Sequence, residues 1–230
     1  MERMHNRATS PCTDTKKPMH CFFLVLLSCF LGTITHIYAD DAVPVAGCSR
    51  LVLLLDKRLT SAVVQQEWAS GNERDERPAR LELRGCQGEL LDSLQLEAAL
   101  AQLHPAPLRG TEVPTYLVSV DLTAESGSYN GPLTMPIEVR KNRLQQATAS
   151  NADKQSEPIQ LALTGKAAWK KITRGKANHF LAISCQPRDD GFILNYRRYF
   201  PTRQGWQVRK RTQPSFWESD QDFPADNLFP

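Results

Sequence analysis

The apolar pattern of the chain opens with a run rather than an alternation. Residues 21–32 are Cys-Phe-Phe-Leu-Val-Leu-Leu-Ser-Cys-Phe-Leu-Gly, behind the flank Lys16, Lys17 and Pro18. A basic flank followed by consecutive large apolar side chains is what export machinery inserts into a membrane. Ala39 stands before Asp40 and Asp41 and suits cleavage. Residues 1–39 are therefore expected to be a signal sequence with a long basic leader, which a start at Met4 or Met19 would shorten. Two other readings compete. Residues 21–39 approach the roughly 20 residues that cross a bilayer, as a retained anchor would. Val45, Ala46 and Gly47 are the small residues expected before an acylated cysteine at Cys48, although Asp40, Asp41 and Pro44 separate it from the apolar run.

Beyond the leader, short apolar stretches predict strands. Residues 51–55 form a buried strand candidate, 62–68 a second, 71–78 a solvated turn, and 79–84 alternate cleanly. Asp92 offers a helix cap with Gln95 three residues on, and Leu96, Leu100 and Leu103 line one face until Pro105. From residue 116 the period is two. Tyr116, Val118, Val120 and Leu122 alternate with Leu117, Ser119, Asp121 and Thr123, and after the turn at 127–131 Leu133, Met135, Ile137 and Val139 alternate with Thr134, Pro136, Glu138 and Arg140. That pattern predicts a hairpin with one buried and one wet face, and Pro136 argues for an edge strand. Residues 149–157 read as a polar loop, and further strands are expected at 158–163, 179–185, 191–200 and 206–212. From Pro214 the chain is acidic and proline-punctuated, an irregular tail (214–230) with Phe216, Trp217, Phe223 and Phe229 as anchors.

The expected fold is mainly β (α+β): an antiparallel curved sheet or partial barrel, one domain over 40–213, with one clear helix near 93–103. An outer-membrane barrel fits poorly, because the strands lack lipid-facing apolar bands with aromatic girdles. With 230 residues and 41% hydrophobic content, the chain can bury a sizeable core. The net charge is +3, of which the first 39 residues carry +2 (four Lys and Arg against Glu2 and Asp14), so the remainder is near +1. Basic character is then local.

Six cysteines are present, and Cys12, Cys21 and Cys29 fall in the leader. Cys48, Cys86 and Cys185 remain, an odd number for an oxidising compartment. If the N-terminal strands ran up-down-up, Cys48 and Cys86 would lie about 20 Å apart at about 3.3 Å per residue. A Cys86–Cys185 bridge is expected on that basis.

The chemistry-bearing positions are few. No nucleophile elbow, Cys-x-x-Cys, zinc-protease or phosphate-loop motif occurs, and no cofactor or metal site is expected. His104 and His179 are the histidines beyond the leader. The distinctive feature is cationic. Lys166, Trp169, Lys170, Lys171, Arg174 and Lys176 fall in a span free of carboxylates from 158 to 188, and Trp206, Arg209, Lys210 and Arg211 form a second group near Arg197, Arg198, Tyr196 and Tyr199. Cations beside aromatic faces grip anions. The bland reading is that these are polar strand faces, neutralised by the acidic tail folding back.

These features fit an exported, non-catalytic envelope protein that binds a partner protein or an anionic surface component, such as a glycan or lipid headgroup, rather than nucleic acid. Membrane contact would require a retained anchor or a lipidated Cys48. The rivals are a secreted or periplasmic hydrolase with a site around His104 or His179, and a periplasmic inhibitor or immunity-type protein.

Overall fold

Strand-forming residues in alternation dominate the sequence, and the computed structural model of the protein is built almost wholly of β-structure. It describes residues 42–55, 78–121 and 128–230. The expected signal sequence, the strand at 62–68 and the turn at 71–78 up to residue 77 lie outside these. Among the described residues no helix is long and apolar enough to cross a membrane.

The strands, in chain order, are β1 (Ala42–Pro44), β2 (Arg50–Leu54), β3 (Arg80–Arg84), β4 (Leu90–Gln95), β5 (Ala101–Leu103), β6 (Thr115–Val120), β7 (Leu133–Arg140), β8 (Arg143–Gln146), β9 (Thr148–Ser150), β10 (Ser156–Pro158), β11 (Leu161–Ala162), β12 (Ala167–Arg174), β13 (Ala177–Arg188), β14 (Gly191–Thr202) and β15 (Gly205–Pro214). They form three sheets, ordered β1-β2-β3-β4, β11-β7-β6-β5 with β8 beside β7, and β10-β9-β15-β14-β13-β12. All pairings are antiparallel except β15 with β9. None of the three sheets closes into a barrel.

Alternation sends successive side chains to opposite sides, and three apolar layers result. Leu51, Leu53, Leu81 and Leu83 of the first sheet meet Tyr116, Val118, Val120 and Ile137 of the five-stranded sheet. The opposite side of the five-stranded sheet, with Leu117 and Leu161, meets Phe180, Tyr199, Trp206 and Val208 of the six-stranded sheet. The far side of the six-stranded sheet is covered over part of its area by the C-terminal tail. Full burial of a side chain such as Phe180 contributes about 2–3 kcal/mol.

This layering overturns several expectations. The hairpin of β6 and β7 has no wet face, because it is the middle layer: Thr134 and Glu138 are buried beside Leu117. Nor is β7 an edge strand. Pro136 faces Leu117 of β6, while on the other side of β7 the partner strand β11 reaches only Thr134 and β8 begins at Ile137. Proline is tolerated in that gap, where its missing N–H leaves no ladder bond unmade.

The clear helix near 93–103 is absent. Residues 90–95 and 101–103 are strands joined by a bend. Leu96 donates its N–H to the Ala79 carbonyl (2.8 Å), and the Leu100 carbonyl accepts from Asp121 N–H (2.9 Å). Neighbouring strands thus supply the backbone partners that a helix would have supplied internally. Asp92 caps no helix: its carboxylate accepts from Leu144 N–H at 2.7 Å and from Arg143 Nη1 at 3.3 Å, tying β4 to β8. The one described helical turn is the short 3-10 segment Asp226–Leu228.

The cysteine pairing also differs from expectation. β2 pairs directly with β3, with Arg50 opposite Arg84, so Cys48 and Cys86 just beyond the two ends meet. They form a disulfide with Cα atoms 4.8 Å apart. The expected Cys86–Cys185 bridge is not made, because it counted an intervening strand between two that are neighbours. Cys185 is a buried free thiol. The Cys48 sulfur, bonded to Cys86, has no valence left for the thioether of a lipid anchor. A disulfide of this kind is compatible with an exported protein.

Candidate functional site

The basic residues singled out by sequence lie mostly on the two long hairpins β12–β13 and β14–β15, and pairing register decides which of them share a face. Residues opposite one another in an antiparallel ladder point to the same side. Phe180 faces Tyr199, and Tyr199 faces Val208, so this row turns inward. Lys170, Leu181, Arg198 and Arg209 form the adjacent row and turn outward.

The aromatic members of the expected patch belong to the core. Trp206 is buried and stacks on Phe180 with centroids 5.4 Å apart, and Trp169 meets the same ring edge-on at 5.9 Å. Trp206 is thus enclosed in the core, and Trp169 is partly buried against it.

The tail takes up further cations. Trp217 and Phe229 are buried against Leu181, Ile183, Leu194 and Tyr196, and Trp217 Nε1 donates to the Asp222 carbonyl at 3.2 Å. From this strap Glu218 pairs with the buried Lys166, whose ammonium also lies 3.9 Å from the Phe216 centroid. Asp226 pairs with Lys170 at 2.6 Å, beside Phe223. Lys210 turns to the inner side and pairs with Glu157 of β10. Lys166, Lys170 and Lys210 are thus each held in an ion pair with a carboxylate.

What remains is a group the sequence did not bring together. On the outer face beyond the tail lie Arg174 of β12, His179 of β13, Arg198 and Phe200 of β14, and Arg209 of β15. The guanidinium carbons of Arg198 and Arg209 stand 5.6 and 5.5 Å from the Phe200 centroid. The His179 ring is 5.8 Å from the same centroid. No carboxylate of the described residues forms an ion pair with any of these three arginines. Arg198 Nε and His179 Nδ1 are buried and have no hydrogen-bond partner. Burial first, and then Arg198 and Arg174, hold the His179 imidazole below its usual range. Burial, followed by Arg174 and Arg209, likewise lowers Arg198. Arg211 lies on the same face opposite Tyr196, Lys176 sits in the β12–β13 turn, and Lys171 turns inward opposite Phe180.

Local sequence fixes this end of the sheet. Gly175 closes the β12–β13 hairpin at φ 60°, a conformation glycine adopts without strain. The chain before β6 docks on the same hairpin: Arg109 N–H donates to Asn178 Oδ1 at 2.7 Å, and Asn178 N–H to the Arg109 carbonyl at 2.9 Å. Gly110, at φ +84°, approaches so closely that a Cβ there would sit 2.4 Å from the Ala177 Cβ. Only glycine fits.

His104 lies elsewhere, in the inner layer. Its Nε2 is 3.0 Å from Ser119 Oγ, which is 2.7 Å from Thr134 Oγ1. Burial foremost, then Lys171, lowers its imidazole from the usual range. The two histidines therefore share no site. Among the described residues no three His, Cys, Asp or Glu side chains gather to hold a metal ion.

The chain matches no protein-family model, no curated protein and no solved structure.

Proposed function

We propose that this is an exported, non-catalytic binding protein that engages an anionic surface component through the outer face of its six-stranded sheet. One observation carries the reading: Arg198 and Arg209 stand against Phe200, with Arg174 on the same face of the sheet, and none of the three has an acidic partner among the described residues, in a protein that neutralises its neighbouring cations with Glu218, Asp226 and Glu157. Like charges held together cost stability, and an anionic ligand offsets that cost. The relevant variants are Arg174→Glu, Arg198→Glu and Arg209→Glu, not Lys210, which faces the other way. Binding to heparin and to phosphatidylcholine vesicles containing phosphatidylglycerol is expected to be salt-sensitive and lost in the triple variant. Retention unchanged by salt and by charge reversal would sink the reading, and capture of an acidic protein with neither heparin nor vesicle binding would replace it.

A second reading, a hydrolase, draws on the Ser119–His104 contact. A neutral imidazole 3.0 Å from a hydroxyl has the geometry of a base beside a nucleophile. Against it, Ser119 lies within β6, in the middle layer, and no carboxylate is hydrogen-bonded to His104 among the described residues. Labelling by a fluorophosphonate that disappears in Ser119→Ala would establish this alternative, and absence of labelling removes it.

A further inference from the structure

A diffuse basic surface attracts polyanions without a defined site, whereas the cluster around Phe200 has features of a discrete one. Arg198 is flanked across the ladder by Arg209, and Arg174 also lies close enough to act on its charge. Phe200 provides the platform. A guanidinium held against a ring face keeps its N–H donors in the plane, free to point at an acceptor. Two nitrogens at the base of the cluster, Arg198 Nε and His179 Nδ1, are buried without any acceptor or donor opposite them. Buried polar atoms are nearly always partnered, and both here belong to one cluster. The donors come from four strands: Arg174 on β12, His179 on β13, Arg198 on β14 and Arg209 on β15.

We infer that Arg174, His179, Arg198 and Arg209 form a site for a single tetrahedral oxyanion of the phosphate or sulfate class. Donors converging from four strands match a ligand with acceptors in several directions, which a planar carboxylate lacks. The group is either free or carried on a glycan or lipid headgroup, and this inference rests on the anion-binding reading above. His179 makes the site sensitive to pH. The charged groups facing it are Arg174 and Arg198, with Arg209 beyond Arg198, all cations. A bound dianion reverses that repulsion and favours the imidazolium, so affinity rises as pH falls through the histidine's titration.

The test is calorimetric titration of the purified protein with inorganic sulfate, inorganic phosphate and acetate at constant ionic strength. Saturable binding at one site is expected for sulfate and phosphate but not for acetate. Arg198→Gln and Arg174→Gln are each expected to weaken it about tenfold or more, whereas Arg188→Gln, at the far end of β13 and paired with Asp190, changes it by less than about twofold. Because Arg174 is exposed, its variant keeps the test valid should Arg198→Gln unfold. Sulfate holds its charge across the range, so its affinity should climb as pH falls and keep climbing below the ordinary histidine value of about 6.5, because the free imidazole is held lower, and His179→Ala should flatten that climb. Titration with a sulfated monosaccharide and with glycerol phosphate then separates a glycan source from a lipid headgroup source. Binding of heparin or anionic vesicles without saturable sulfate or phosphate binding would overturn the discrete site and leave the broader reading standing. Loss of all of these would overturn both.

Discussion

Arg198 stands opposite Arg209 in the β14–β15 ladder with no carboxylate of the described residues against either, while one residue along, on the other side of the sheet, Arg197 and Lys210 face each other with Glu157 bound to Lys210. The same hairpin thus carries two like-charge pairs, one neutralised and one not.

That contrast predicts opposite signs for two similar substitutions. Arg209→Gln relieves a cross-strand repulsion and is expected to stabilise the protein by about 0.2–1 kcal/mol at low salt. Lys210→Gln removes the partner of Glu157 in a half-exposed ion pair and is expected to destabilise it by up to about 1 kcal/mol. Urea unfolding of both variants in low-salt buffer checks this. Arg209→Gln proving the more damaging would contradict the picture of an unpaired cluster.

The C-terminal strap is expected to be a structural element. Trp217→Ala empties a buried position against Leu194 and Ile183 and should cost about 3–5 kcal/mol. Glu218→Gln leaves the buried Lys166 ammonium without its carboxylate, with a smaller expected loss of about 1–3 kcal/mol. A double-mutant cycle with Lys166→Met isolates the pair: the double variant should be more stable than the sum of the two single losses implies.

Acid sensitivity should be traceable to Asp92. The Leu144 N–H is the strongest influence lowering its carboxyl below the ordinary 3.8, opposed by burial and helped by Ser93 and Arg143. A depressed folded value means the contribution is fully present above the ordinary value and is lost as pH falls through the lower, folded one. Asp92→Asn should therefore reduce stability at neutral pH and flatten the acid limb of the stability curve below about pH 4. An unchanged acid limb in guanidinium titrations would argue against this tie between β4 and β8.

The disulfide closes a separation of 38 residues. Cys48→Ser with Cys86→Ser is expected to lower stability by about 3–4 kcal/mol through the freer unfolded chain. Non-reducing peptide mapping should recover Cys48 joined to Cys86 and Cys185 as a free thiol. A map joining Cys86 to Cys185 would refute the pairing.

Much of the strand content is legible in the sequence. The apolar run at 51–55 and the alternation from 116, 133, 179, 191 and 206 correspond to β2, β6, β7, β13, β14 and β15, because a pleated strand imposes its own period. β12 is not legible: Lys170, Lys171 and Arg174 obscure the apolar positions Ala168 and Ile172, whose burial depends on the tail. The false helix at 93–103 has the converse cause. Leu96 and Leu103 both reach the same core, and a bend between two strands imitates helical spacing.

The sequence by itself determined a mainly β, antiparallel protein with a local concentration of cations, since backbone period and charge are written residue by residue. It did not determine which cysteines meet, which strand faces stay wet, or which cations remain unpaired. Those depend on residues far apart in the chain: Cys48 with Cys86, Lys166 with Glu218, Lys210 with Glu157. Only the register of β12 to β15 and the path of the tail decide that Arg174, His179, Arg198 and Arg209 share one face that no described segment covers. The physical reason is that pairing is a long-range property, and a one-residue slip would have sent each of them to the other side.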